Sequence, residues 1–334
     1  MTRIRNRKLG RPCSRGSGRS GAGKGLAAGL LLAGAAVGLP VLISEVIRRR
    51  AEPPRSPRWG RAHRYSGALG ELVFQEAGSG APVLLLHSFG PGYDSNQWRA
   101  AAEQLATHHA VYAPDLPGWG RSETPLGGHI PELYVRSIAG FLDRVVRQPA
   151  VIVAAGLSAA YAVRIALERP DRVRGLVLVS PLGLPTDAAQ SPFVRQLLQL
   201  PVLRSTVLDL LTSRSSLEHH LRREAYAAPE RVDAALLDHH YRASHLSRAR
   251  GAYAALLRGD LWLDVEEALR QIGVPVLLAW GGAGNASAVR NLDLWQHRLP
   301  EARIEVFPGS GDMPHVESAT AFSRAVESFA AGLR

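Results

Sequence analysis

The sequence predicts an α/β domain on a mainly parallel sheet covered by helices on both faces. It also predicts a helical insertion late in that sheet and a membrane-spanning helix ahead of it. Three observations carry this. From residue 71 to residue 180, strand-length apolar or alternating runs take turns with amphipathic runs of helical length, as in a parallel sheet with helical crossovers. Between Pro181 and about Ile272 only helical periodicity appears, after which two strand-like runs resume the sheet. Finally, Gly25–Ile43 (GLAAGLLLAGAAVGLPVLI) holds no charge over nineteen positions, close to the roughly 20 residues that cross a bilayer core as a helix.

The elements follow in order. Residues 1–24 form a basic tail, 25–47 the transmembrane anchor and 48–64 (RRRAEPPRSPRWGRAHR) a Pro- and Arg-rich linker. Basic residues flank the apolar run on both sides, which suits anionic headgroups and makes membrane lipid a partner. The similar flanks leave the orientation undecided. A cleaved signal peptide is the alternative, although no small-residue cleavage site follows the run; the Arg/Ser-rich, acid-free start also allows a transit peptide.

Within 65–334, ELVFQE (71–76) alternates as a half-buried strand, and APVLLLHS (81–88) is a continuous apolar run suited to a strand covered on both faces. SNQWRAAAEQLA (95–106) is a helix with Trp98, Ala101, Ala102 and Leu105 on one side, and HAVYAPD (109–115) the next strand. Helix 131–147, strand 150–156, helix 158–168 and strand 173–180 follow. The helical insertion covers about 182–270. VPVLLAWG (274–281) and ARIEVFPG (302–309) resume the sheet, and residues 321–333 close it with an amphipathic helix.

Charge argues against a nucleic-acid partner. The chain of 334 residues carries a formal +11, but residues 1–64 hold fifteen Lys/Arg against two acids, while residues 65–334 hold 25 Arg against 27 acids. The folded part is therefore almost neutral, without the excess that binds phosphates. The single cysteine, Cys13, permits no internal disulfide and no thiolate cluster. No phosphate loop, dinucleotide fingerprint or metal-ligand spacing appears, so neither cofactor nor metal is expected.

Three stretches point the same way. Gly156-Leu157-Ser158-Ala159-Ala160 sits between a strand and a helix, LLLHSFGPG spans residues 84–92, and APDLPGWGRSETP spans residues 113–125. They resemble the nucleophile elbow, the His-Gly oxyanion strand and the D-x-x-G-x-G-x-S loop of the α/β-hydrolase fold family, and the helical insertion stands where that family carries its cap. The resemblance covers about residues 65–334. It implies Ser158 as nucleophile, with the backbone N–H groups of Phe89 and Ala159 as oxyanion donors. His87 matches a structural histidine that bonds or packs a loop.

The remaining triad positions depart from the pattern. After WGG the acid's position falls on Gly284, and in Gly309-Ser310-Gly311-Asp312-Met313-Pro314-His315 the base's position falls on Asp312. His315 matches the second, non-catalytic histidine. An aspartate is a poor base for a serine proton, because the best base titrates near the working pH. His315 swinging inwards, oriented by Asp312, is the rescue the spacing allows. Histidines 219, 220, 239, 240 and 245 in the cap read as solvated side chains.

Three functions remain open: a hydrolase of small or lipophilic esters using Ser158 with His315 or another unorthodox base, a non-catalytic scaffold binding an apolar molecule or partner under its cap, and a cofactor-free lyase or isomerase using Asp312. The substituted base and acid favour the second.

Overall fold

The computed structural model describes residues 59–185, 192–283 and 286–333. The basic tail, the apolar run at 25–47 and all but the end of the linker lie outside the described residues. Among the described residues no helix is long and apolar enough to cross a membrane.

The first strand corrects the linker boundary. Residues Arg61–Gly67 form β1, an edge strand paired antiparallel with β2 (Gly70–Ala77), in register Arg61 to Glu76 and Tyr65 to Leu72. Its side chains are mostly exposed or half-buried, so it carries no apolar alternation and reads as linker. Its Arg64 instead pairs across the ladder with Glu71.

From there the chain alternates as expected. β3 (Ala81–Leu86) leads through a short 3₁₀ turn to α1 (Arg99–Leu105), then β4 (His109–Pro114), α2 (Pro131–Phe141), β5 (Ala150–Ala155), α3 (Ser158–Glu168) and β6 (Val173–Val179). After the cap come β7 (Val276–Gly281), α10 (Ala286–Arg298), β8 (Arg303–Phe307), the short α11 (Pro314–Glu317) and α12 (Ala319–Ala331). The eight strands lie in the order β1-β2-β4-β3-β5-β6-β7-β8, parallel from β4 to β8 and antiparallel at the β1 and β2 edge.

The continuous apolar runs have a simple cause. Successive side chains of a strand point to opposite faces. Leu84, Leu86, Ile152, Ala154, Leu176 and Leu178 face the layer containing α2 and α3. Val83, Leu85, Val151, Val153, Val177 and Val179 face the opposite layer, where Trp98 and Phe322 pack. Both faces are dry, so no polar position interrupts the strands.

The cap consists of α4 (Pro192–Gln199), α5 (Pro201–Leu211), α6 (Arg214–His220), α7 (Ala234–His245), α8 (Ser247–Arg258) and α9 (Glu266–Leu269). A π-turn at Leu221–Ala225 extends α6. The cap is held on the loop after β3 by packing and by polar contacts. Tyr93 and Met313 pack with Leu221, Ala225, Tyr226 and Val232. His240 donates from Nδ1 to the Pro91 carbonyl at 2.9 Å. His239 Nε2 lies 3.0 Å from both oxygens of Asp94. These histidines are not the solvated pair the sequence suggested: His240 and Asp94 are both buried.

Candidate functional site

The carboxyl ends of β3, β5, β6 and β7 converge under the cap, where ligands bind in open α/β sheets. Between them and the cap lies a cavity of about 830 Å³. Ser88, Gly156, Ser180 and Trp280 form its sheet side. Its chemistry follows from the turn after β5.

That turn joins Ala155, the last residue of β5, to Ser158, the first of α3. The left-handed strain falls on Gly156, with φ +56°. Glycine takes this conformation without steric cost, so a strand-to-helix turn this tight selects it. Gly156 lines the cavity and Ser158 does not. Ser158 is fully buried, and its hydroxyl donates to the His87 carbonyl. The expected nucleophile therefore lies off the strained turn: in a nucleophile elbow the nucleophile occupies the strained turn residue, whereas Ser158 lies two residues further, at the first position of α3. A Cβ at Gly156 would also lie 2.2 Å from Ser88 Oγ. The Ser88 side chain fills the space that a side chain on the turn would need.

The oxyanion expectation shifts accordingly. Phe89 lines the cavity, but the Ala159 N–H is turned back onto the Gly156 carbonyl at 3.1 Å. The residue after the turn is Leu157. The Ser88 N–H is also engaged, donating to Gln97 Oε1 at 2.8 Å. His87 accepts from the Leu116 N–H at Nε2, 2.9 Å away, and its Nδ1 donates to the Ser88 carbonyl at 2.7 Å. It is a loop-bonding residue with both nitrogens used.

Asp312 lines the cavity. Its carboxyl is open to solvent there, yet protein walls it on most sides. Burial raises its pKa above the ordinary value, and the His220 charge opposes that rise. His315 does not reach this space. It is fully buried with its ring 4.3 Å from that of Trp98 and 5.9 Å from Phe322. Neither ring nitrogen has a partner among the described residues. Burial pushes its pKa down to about 3, so it stays neutral. The rescue by His315 therefore fails, because α11 carries it to the far side of the loop, against α1. Gly284 lies outside the described residues.

Sequence reasoning missed a polar cluster on the cap side. Tyr93 Oη lies 3.3 Å from His220 Nε2, and His220 Nδ1 lies 2.6 Å from Glu224 Oε2. A carboxylate only accepts, so Nδ1 is the donor and Nε2 faces the phenol. Tyr93, His220, Glu224 and Asp312 all line the cavity. The i, i+4 spacing of His220 and Glu224 was the available signal. Its partner Tyr93, 127 positions away, was not legible. Ser180, at the end of β6, has an unusual positive φ of 40° and a buried hydroxyl without a partner among the described residues. Among the described residues no cluster of His, Cys, Asp and Glu is arranged to hold a metal.

Comparison with known proteins follows the same architecture. A family model described as the alpha/beta hydrolase fold matches residues 81–319. An uncharacterised protein of Mycobacterium tuberculosis is 27% identical over 275 residues, 77% of either chain. A 2-hydroxy-6-oxo-2,4-heptadienoate hydrolase of Pseudomonas putida is 26% identical over 272 residues, 78% of this chain and 93% of that protein. Among solved structures, a serine hydrolase involved in carbazole degradation is similar in fold, with a TM-score of 0.68 at 21% identity, covering 81% of this chain and 99% of its own.

Proposed function

The chain belongs to the alpha/beta hydrolase fold family, and from that premise we propose that it is a member without serine hydrolysis, whose cavity takes an apolar ligand. One observation carries the reading: the strained turn residue, where the family mechanism needs a hydroxyl, is Gly156. The aspartate at the base's position and the glycine at the acid's position agree with it. A serine needs an adjacent base to be nucleophilic at neutral pH, and Ser158 instead holds the His87 carbonyl. Leu211, Leu256 and Leu257 of the cap line the cavity together with Leu182 after β6, which favours an apolar ligand body.

A fluorophosphonate probe on the purified full chain tests this directly. We expect no serine labelling in the wild type or in Ser158→Ala. Labelling of the wild type that disappears in Ser158→Ala would restore the competing reading, an ester hydrolase built on Ser158.

Membrane anchoring is part of the same proposal. The uncharged run at Gly25–Ile43 between basic flanks supports it. The full chain is expected in the carbonate-washed membrane pellet, and a chain lacking residues 25–43 in the supernatant. A full chain found in the supernatant would remove the anchor from the proposal.

A further inference from the structure

A polar group of cavity-lining residues has no part in the reading so far. Tyr93 comes from the loop after β3 and Asp312 from the loop after β8. His220 and Glu224 stand on successive turns of the cap. The four converge on one space from three parts of the chain.

We propose that Asp312 and Tyr93 form a proton-transfer centre for apolar ligands with an enolisable carbonyl, Tyr93 being supplied with protons by His220 and Glu224. The inference rests on the reading of the cavity as a ligand site.

The groups suit the two ends of an enolisation. Removing a proton beside a carbonyl needs a base at carbon and a donor at oxygen. Asp312 is the base, and the burial that raises its pKa strengthens it for that task. Tyr93 is the donor. Burial, with Asp312 among the nearby charges, raises its pKa well above the ordinary value, so it remains a phenol at rest.

The hydrogen bonds supply the rest. When Nε2 of His220 carries a proton as well as Nδ1, Nδ1 donates to Glu224 and Nε2 donates to Tyr93 Oη, which leaves the phenolic proton for the ligand. Asp312 then takes the proton from the carbon beside the carbonyl. The C–H electron pair becomes a carbon–carbon double bond, and the carbonyl oxygen takes the Tyr93 proton. Tyr93 recovers a proton from His220 Nε2, leaving neutral imidazole on Glu224. In the return step protonated Asp312 gives its proton to carbon, and the enol proton passes back through Tyr93 to His220. Delivery to a different carbon isomerises the ketone. Atoms and charge balance with no second reactant.

The titratable groups around His220 are Tyr93, Glu224, Asp312 and His240, together with His219 on the same helix. Ser180, whose buried hydroxyl has no partner among the described residues and which lines the cavity, is placed to orient a second polar group of the ligand.

The test uses the purified full chain and a bicyclic β,γ-unsaturated ketone in D₂O. Binding is read as a rise in Tm, and turnover as deuterium beside the carbonyl and absorbance of the conjugated enone. We expect turnover in the wild type and a loss of about 10²-fold or more in both Asp312→Asn and Tyr93→Phe. Glu224→Gln, which acts through His220, should move the acidic limb of the pH profile while leaving Tm nearly unchanged. Binding without turnover would overturn the proton-transfer centre and leave the ligand cavity standing, as would turnover that neither variant lowers. Absence of binding would overturn both. Asp312 is an exposed residue lining the cavity, so Asp312→Asn keeps the test valid if Tyr93→Phe fails to fold.

Discussion

Gly156 and Ser88 face one another across the turn after β5: a Cβ on Gly156 would lie 2.2 Å from the Ser88 hydroxyl oxygen and 3.3 Å from its Cβ. A nucleophile at the turn therefore requires Ser88 to turn its hydroxyl away or to be replaced. Gly156→Ser alone is expected to lower stability by about 1–3 kcal/mol, from overpacking and from a side chain at positive φ, with no gain in activity. Ser88→Gly beside it should recover much of the loss. Adding Asp312→His and Gly284→Asp should then produce measurable hydrolysis of a p-nitrophenyl ester. A gain from Asp312→His and Gly284→Asp without Gly156→Ser would instead assign the nucleophile to another residue.

The Asp94–His239 pair ties the cap to the sheet and should give its docking a pH dependence. Burial opposes ionisation of Asp94, but the His239 charge and hydrogen bond, with Arg121, outweigh it and hold the carboxyl well below its usual range. Burial likewise opposes protonation of His239, yet Asp94 outweighs it and raises the imidazole above 6.5. The His239 contribution is therefore complete below about pH 6.5 and is lost as pH rises through its raised value, while that of Asp94 is complete above about pH 4 and is lost in stronger acid. The protection of amides over 234–245, relative to their intrinsic exchange rates, should fall above neutral pH in the wild type and lose most of that fall in His239→Gln. Asp94→Ala is expected to cost about 3 kcal/mol or more, because it leaves its buried partner uncompensated.

His315 makes a different contribution with pH. Its folded pKa of about 3 lies below the unfolded 6.5, so the unfolded chain binds the extra proton. Stability is fully present above about pH 6.5 and is lost as pH falls toward 3. His315→Phe, which keeps an aromatic ring against Trp98, should remove that acid sensitivity. At pH 5 it should gain about 2 kcal/mol relative to its effect at pH 7.5, from 1.36 kcal/mol per unit, read as a smaller fall in urea midpoint. An unchanged difference between the two pH values would show that His315 titrates normally.

Gly92 marks a close approach of the cap helix α7 to the loop after β3. It has φ +78°, and a Cβ there would lie 2.4 Å from the His240 carbonyl oxygen. Gly92→Ala should loosen α7 by about 2–4 kcal/mol through clash and backbone strain together. Faster proteolysis within the cap, with the sheet still protected, is the expected signature.

Much of the architecture was legible in the residues alone. Val83–Leu86 and Val151–Ala155 carry no polar position because both faces of their strands are covered, so their runs announce a central parallel sheet. The cap was legible because strand periodicity ceases between β6 and β7. β1 was not, since an exposed edge strand of Arg, His, Tyr and Ser has no apolar rhythm to read.

The candidate site divides along the same line. The residues at its departures from the family pattern, Asp312 and Gly284, could be named from order along the chain, because strand-to-loop succession fixes which loop ends near which. Which residue occupies the turn after β5 is a matter of backbone angle, and two residues of slip separate Gly156 from Ser158. The burial of His315 against Trp98 and the meeting of Tyr93 with His220 join residues more than a hundred positions apart. Local periodicity holds no record of such distances. Only the packing of the cap and the last loops onto the sheet brought those side chains together or kept them from the cavity.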